Sequence, residues 1–403
     1  MTQSRYRLAV FAPHPVQYHA GLYRELAKLD DLAVTVFYED SIGLEAVYVG
    51  DFATTIKWDV DLLGGYDNVF IRNYARNPQG RYFARINPGV CRVIRESAFD
   101  VVLLQGYERL TDWLVFWATR LAGIPLLFRG EATLRRSTVK PTLRRRLKLR
   151  FLSRFLQSCD TVFYSCTGNR EYFAHFGVPD EKLVRIPCAV DNEFFRRERT
   201  IQQAGNENMR TRLGLRANDF VVVFAAQMTA RKRPFDLIAA AAQISQDNLA
   251  LLFIGDGPLR GQLESAARAK GVRAVFTGFV NQGQISRYYA VGNLFALLSE
   301  YDNSPKALNE AMNFSMPVIC TTAAGTARDL VRPGENGYLV EAGDVDAIAG
   351  RLREAIGDRV RANEMGNRSL EIVTEWSFAA DALAIREAVC RVCDGRRRPA
   401  HSR

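Results

Sequence analysis

Strand-length apolar runs alternate with longer amphipathic segments along this chain, and the pattern is played out twice. In the first half Leu8–Ala12 precedes Gly21–Leu29, and Leu32–Phe37 follows. Then come Asp100–Leu104 before Trp113–Ala122, Pro125–Phe128, and Thr161–Ser165 before Asn169–Phe176. The second half repeats this with Phe220–Ala226, Phe235–Ser245, Leu249–Ile254, Gly261–Ala269, Val275–Thr277, Ile285–Val291, Leu294–Leu298, Ala307–Phe314 and Pro317–Cys320. Short apolar runs separated by helical-period stretches imply parallel sheets with crossover helices. A chain of 403 residues is also too long for one ordinary core. Between the halves, RRERTIQQAGNENM turns polar and loses its period. The predicted architecture is α/β, with two Rossmann-like domains whose parallel sheets face a cleft. The expected segments are a first domain over 1–195, a linker over 196–209 and a second domain over 210–377. A helix over 378–395, able to cross back to the first domain, and a disordered tail over 396–403 complete the chain. Open α/β sheets hold ligands at the carboxyl ends of their strands.

No apolar run approaches the ~20 residues of a membrane helix, and the stretch Trp113–Ala122 is interrupted by Arg120. MTQSRYR leads straight into a short run ended by Pro13-His14-Pro15, which is no secretory signal, so the expected location is the cytoplasm. Seven scattered cysteines read as buried thiols. Cys390-x-x-Cys393 lacks the second ligand pair that a zinc site needs. The net charge is +10, and nine basic residues without one acid lie between Leu134 and Gln157. Leu143, Leu147, Phe151 and Phe155 recur among them every four residues, which makes a basic amphipathic helix. Such a helix either packs on its own domain with a solvated face or docks on anionic lipid headgroups at the inner face of the cell membrane. No nucleic-acid-binding module accompanies the charge, and no nucleic acid is expected as a partner.

Chemistry concentrates in Leu294–Leu330. A buried strand ends in a polar loop holding Asp302, and a helix opening near Pro305 presents Glu310 on its second turn. Ionised carboxylates accept pairs of sugar or ribose hydroxyls. The helix start Ser304-Pro305-Lys306-Ala307 offers backbone N–H groups that suit a diphosphate. Taken alone, Asp302 reads equally as a turn former and Glu310 as an ordinary helix residue. Upstream, Ala226–Pro234 loads a strand end with Arg231, Lys232 and Arg233, which suits a departing diphosphate or merely solvates a loop. In the first domain, the strand-end loop Pro13–His19 holds His14, Gln17 and His19, read either as acceptor ligands or as helix caps.

The Asp302–Glu310 segment resembles the E-x7-E signature of family 4 glycosyltransferases, which have the GT-B fold and retain anomeric configuration. The similarity continues through Glu310-Ala311-Met312, Met316-Pro317-Val318-Ile319, Gly325 and Gly334-Glu335-Asn336-Gly337. It implies that Asp302, where glutamate is commoner, contacts the donor sugar and that Glu310 accepts from the ribose. It also makes Lys232 the matching lysine of the family's phosphate clamp, with Gln227 standing where the first cation usually sits. Gly255-Asp256-Gly257-Pro258 is similar to the family's GxGP turn, and Gly278-Phe279-Val280 to the loop beneath the nucleotide base. Where many members place a cleft histidine, this chain has Arg129 or Glu131, so that role is not carried over. Ile186–Asp191 with Phe194-Phe195 is similar to a structural turn of the family. Asp59-Val60-Asp61 and Asp344-Val345-Asp346 look like metal-binding DxD motifs, yet a basic clamp makes a cation unnecessary, and no metal or cofactor is expected. The resemblance implies a retaining transferase using a UDP- or GDP-linked sugar and a glycan or polyprenyl-linked acceptor, in surface polysaccharide synthesis. The alternatives are a nucleotide-sugar epimerase of the same fold and a nucleotide-sugar-binding protein with weakened catalysis.

Overall fold

Residues buried on both faces of a sheet must be apolar almost without interruption, and the runs found in the sequence meet that demand. The computed structural model describes residues 5–44, 47–49, 54–56, 58–76, 82–134 and 142–397. They divide into two units, the first made of Met1–Glu45, Asp61–Cys188 and Phe378–Arg403, the second of Ala46–Val60 and Ala189–Ser377. The strands in chain order are β1 (Tyr6–Ala12), β2 (Leu32–Tyr38), β3 (Val47–Val49), β4 (Thr54–Ile56), β5 (Asp67–Phe70), β6 (Val101–Gln105), β7 (Leu126–Arg129), β8 (Thr161–Tyr164) and β9 (Leu183–Arg185). They continue as β10 (Phe220–Ala225), β11 (Leu249–Ile254), β12 (Ala274–Phe276), β13 (Leu294–Leu297), β14 (Val318–Thr321) and β15 (Gly337–Val340).

In the first unit seven strands run in the order β5-β2-β1-β6-β7-β8-β9, with every pairing parallel. One sheet face packs Val10, Leu103 and Leu127 against Leu22, Tyr23, Leu26, Ile385 and Val389. The other packs Phe11, Leu104 and Phe128 against Val115, Phe155 and Phe173. In the second unit six strands run in the order β12-β11-β10-β13-β14-β15, again all parallel. Its core joins Val222, Phe224, Leu251 and Phe253 to Leu237, Ile238, Leu352 and Met365. The expected pair of parallel-sheet Rossmann-like domains is therefore what the chain forms.

Several boundaries differ from the sequence reading. The polar stretch expected as a linker forms two helices, Asn192–Ala204 and Asn206–Arg212. Arg, Glu and Gln are good helix formers, so lost apolar periodicity there marks exposure and not an irregular backbone. The helical segment read as Gly21–Leu29 spans Gln17–Ala27, with extended Val16 at its N-cap, which makes Gln17 and His19 helical residues. β3 and β4 form a separate antiparallel hairpin.

The C-terminal helix Phe378–Arg397 belongs to the first unit. A Cβ on Gly21 would sit 2.2 Å from the Phe378 ring, so the first helix must present a bare backbone there. Arg396 and Arg397, expected in the tail, lie in this helix, and 398–403 fall outside the described residues. All seven cysteines are free thiols. Among the described residues no helix is long and apolar enough to cross a membrane.

Candidate active site

Each parallel sheet reverses its strand order once, and the loops leaving the two strands at that point diverge and open a crevice. In the second unit the reversal lies between β10 and β13. The loop after β10 carries Gln227 and Arg231–Arg233, and the loop after β13 carries Asp302. Lys232 Nζ donates to Asp302 Oδ2 across this gap, and the two side chains are only 12% and 13% exposed. Arg231 stands 4.0 Å from the same carboxylate oxygen, donates to the Tyr301 carbonyl at 3.1 Å, and lies over the Tyr301 ring.

Arg233 is committed elsewhere. It sits in the left-handed region at φ 53° and forms a two-pronged bond to Asp236 through Nε (2.5 Å) and Nη2 (3.2 Å). Gln227 is half-buried, and its carbonyl accepts from the Thr229 N–H at 2.9 Å. Lys232, with Arg231 beside it, is therefore the cation placed at the crevice.

Glu310 lies in the helix Lys306–Met312, which follows Pro305 at the N-cap, and is 4% exposed. Its Oε2 accepts from the Tyr289 hydroxyl at 2.9 Å. Ser304 lies in the approach to that helix, with Lys306 Nζ donating to the Ser304 carbonyl (3.3 Å) and hydroxyl (3.2 Å), and Ala307 is in the first turn. Gly255 and Gly257, after β11, adopt φ 125° and 154°. A Cβ on Gly255 would lie 2.2 Å from the Ala226 carbonyl oxygen, so glycine lets this turn press against the cation-bearing loop. The Gly255 N–H donates to the Gly278 carbonyl at 3.0 Å, which brings Phe279 and Val280 to the same strand edge. Trp58, which the sequence reading passed over, packs edge-on to Phe279 at 6.3 Å between centroids.

The first unit reverses between β1 and β6. His14 lies two residues past β1, and burial, then Arg85 and Arg109, lower its pKa to about 4. Its imidazole is therefore neutral near pH 7, and Nδ1 has no hydrogen-bond partner among the described residues. Glu39 follows β2 directly and is fully buried, its carboxyl group hydrogen-bonded to that of Asp112. Asp112, in the first turn of the helix Leu110–Leu121, accepts from the Arg109 N–H at 2.8 Å and shares a side-chain hydrogen bond with Glu39. Burial, and after it the neighbouring Asp112, holds the Glu39 carboxyl well above the usual range, and burial raises Asp112 as well. Arg85 is 4% exposed, with Nε unpaired and 3.7 Å from Asp40 Oδ2. Glu39, Arg85 and Asp112 escaped the sequence reading. Its one available signal was Glu39-Asp40, a carboxylate pair at the exit of the strand Leu32–Tyr38.

Gln17 has its side-chain oxygen buried and unpaired, and His19 lies two residues on, its ring 6.2 Å from that of Tyr23. Arg129 ends β7 in register with Gln105 and is 7% exposed. Its Nη2 lies 4.0 Å from Glu131, and the Cys188 thiol donates to the same Glu131 oxygen at 3.1 Å. The buried position at the strand end is thus held by Arg129, with Glu131 half-exposed beyond it.

The four DxD carboxylates each accept a hydrogen bond from a donor of their own unit. Asp59 accepts from the Gly283 N–H, and Asp61 from the Leu63 and Gly64 N–H groups. Asp344 caps the helix Val345–Gly357, and Asp346 accepts from Gln243. Among the described residues no group of three or more His, Cys, Asp or Glu is placed to hold a metal ion.

The chain is similar to known proteins in sequence and in fold. Residues 205–371 match the family described as glycosyl transferases group 1, and residues 16–189 match the glycosyl transferase 4-like domain. The chain is 32% identical over 139 residues to the sulfoquinovosyl transferase SQD2 of Arabidopsis thaliana, which covers 34% of this chain and 27% of that protein. It is 28% identical over 249 residues to the GDP-mannose-dependent alpha-(1-6)-phosphatidylinositol monomannoside mannosyltransferase of Mycobacterium tuberculosis, which covers 59% of this chain and 63% of that one. The chain thus spans less than two thirds of these relatives' length. The crystal structure of Anabaena Alr3699/HepE in complex with UDP superposes with a TM-score of 0.73 at 18% identity, covering 96% of this chain and 100% of that one. A glycosyltransferase from Rickettsia africae gives 0.73 at 13% identity, with 96% and 98% covered.

Proposed function

Because this chain belongs to the glycosyl transferases group 1 family, with a first unit of the glycosyl transferase 4-like type, we propose that it moves a sugar from a nucleoside diphosphate to a hydroxyl acceptor with retention of configuration. The observation that carries the reading is the Lys232–Asp302 pair. Loops seventy residues apart meet at the strand reversal of the second unit, where an open α/β sheet takes its ligand. A desolvated ion pair is a weak source of stability, so its presence there calls for a use beyond folding. In this reading Asp302 holds Lys232 at the crevice until a diphosphate arrives to share the cation. Lys232, with Arg231, then neutralises the charge that builds on the leaving diphosphate. Asp302 accepts from the donor sugar, Glu310 from the ribose, and Phe279 and Val280 line the base. The acceptor hydroxyl attacks on the face the diphosphate leaves, handing its proton to that leaving group.

The direct test is thermal stabilisation of the full chain by UDP- and GDP-sugars, with and without a chelator. A rise of several degrees with at least one donor, unchanged by chelation, is expected. No shift with any nucleotide sugar would sink the donor-site reading.

The proposal extends to a lipid-linked or glycan acceptor at the inner face of the membrane, in surface polysaccharide synthesis. The helix Leu143–Ser158 buries Leu152, Phe155 and Leu156 but leaves Leu143, Leu147 and Phe151 at 73%, 61% and 48% exposed. Phe151 packs on Trp113 of the helix Leu110–Leu121, whose Trp117 and Leu121 are exposed as well. Arg144, Arg145, Arg146, Lys148, Arg150 and Arg154 lie on the same helix, each worth ~1 kcal/mol at an anionic surface. Arg135, Arg136 and Lys140 fall outside the described residues. The protein is expected to float with phosphatidylglycerol vesicles at low salt, and the double substitution L147E/F151E to cut that binding about tenfold or more. Equal flotation of both proteins would remove the membrane from the proposal.

A further inference from the structure

Parallel strands need a crossover between them, and in the first unit those crossovers cover their own sheet. The helices Gln17–Ala27, between β1 and β2, and Leu110–Leu121, between β6 and β7, pack Leu22, Tyr23 and Val115 on its strands. The connection from β2 to β5, also a parallel pair, departs from this rule. Its middle, Ala46–Val60, belongs to the second unit and holds the hairpin of β3 and β4. Near the end of that segment, Trp58 packs edge-on to Phe279, the two ring planes 64° apart. Both oxygens of Asp59 accept from the Gly283 N–H at 3.2 Å, across 224 residues of sequence. A Cβ on Gly283 would lie 2.8 Å from Asp59 Oδ2, so glycine admits the carboxylate. The helix Gln282–Tyr289 receives no side-chain cap from Asn281, its own N-cap residue. Asp59 fills that role from outside, at a helix end that favours negative charge.

We propose that Trp58 binds the nucleobase of the donor, forming with Phe279 an aromatic corner for that flat ring. Both side chains are half-buried, so each keeps apolar surface for a ligand. Rings set at this angle let a planar group lie on one face and meet the edge of the other. The loop that presents Phe279 is fixed from behind, since the Gly278 carbonyl accepts from the Gly255 N–H at 3.0 Å and from the Thr277 hydroxyl at 2.8 Å. Gly278 itself sits at φ 74°, a conformation that favours glycine. The helix that Asp59 caps ends at Tyr289, whose hydroxyl donates to Glu310 at 2.9 Å. One short helix thus joins the place of Trp58 to the carboxylate assigned to the ribose, as a nucleoside joins base to ribose. Every nucleobase has a π-face, so stacking adds affinity whichever base the donor carries. The inference rests on the donor-site reading, to which it adds a base-binding residue drawn from the first half of the sequence.

The test is titration of the full chain with UDP, GDP and ADP, followed by calorimetry and by tryptophan fluorescence. Stacking of a base on an indole quenches its emission, and Trp58 is one of only four tryptophans in the chain. The nucleotide that binds the unsubstituted protein best is expected to quench part of its fluorescence. Trp58→Ala is expected to weaken that nucleotide about 10-fold. Trp58→Phe, which keeps an aromatic face, is expected to retain most of the affinity while the quench disappears. A role confined to packing would leave the quench in place in Trp58→Phe, and that result overturns the proposal. So does Trp58→Ala binding as tightly as the unsubstituted protein, which would leave the donor-site reading standing. Binding of none of the three nucleotides to the unsubstituted protein would bring down both readings together.

Discussion

Lys232→Ala is expected to slow sugar transfer at saturating donor by about 10²–10³-fold, the loss seen when one preorganised group is taken from a developing charge. Lys232 stands at the strand reversal with its ammonium on Asp302. The other two cations of its loop cannot take over its place. Arg233 is bound to Asp236 by two hydrogen bonds, and Arg231 is held by the Tyr301 carbonyl and ring. The effect should fall on kcat, because charge on the diphosphate grows as the glycosidic bond breaks. Removing one partner of a buried pair also leaves the other uncompensated, though Arg231 at 4.0 Å softens that loss for Asp302. Steady-state kinetics beside a melting curve separates the two consequences. A variant that folds and transfers at the original rate would refute the role of Lys232.

The second large effect concerns Glu310. Glu310→Ala is expected to lower kcat/KM by about 10²-fold or more, because a carboxylate accepting two ribose hydroxyls makes charge-assisted bonds. It should also cost about 1–3 kcal/mol of stability, since the buried Tyr289 hydroxyl loses its acceptor. Glu310→Gln divides these effects, as the amide oxygen can still accept from Tyr289 while the negative charge is gone. Stability near that of the unsubstituted protein with weakened nucleotide binding is the expected outcome, measured by urea denaturation and UDP titration. Undiminished UDP affinity in both variants would show that Glu310 serves the fold alone.

Reading parallel sheets from this sequence succeeded where burial leaves no choice of residue. Leu8–Ala12 and Leu249–Ile254 are apolar throughout because both faces of their sheets are covered. β5 was missed because it is an edge strand with exposed Asp67, Val69 and Phe70 and no apolar signature. The supposed linker was missed for a related reason, since a largely exposed helix carries little hydrophobic period. The Lys232–Asp302 meeting was legible because both residues stand in loops next to strands that announce themselves. Glu39, Arg85 and Asp112 were not, because their partnership depends on how β2, β1 and β6 lie side by side. Strand order is a three-dimensional fact that no local pattern encodes. The Gln17–Ala27 helix began earlier than read because Pro15 and Val16 can end an extended segment without the Ser, Thr or Asp cap that marks a helix start.

The C-terminal helix has a consequence for how the protein is made. Ala382, Ile385, Ala388, Val389 and Cys393 complete the same apolar cluster as Leu8, Val10 and Leu22. In synthesis the strands of the first unit therefore emerge well before the helix that closes their core, with residues 189–377 of the second unit translated in between. Until that helix docks, one flank of the sheet lacks the apolar partners that Ile385 and Val389 supply.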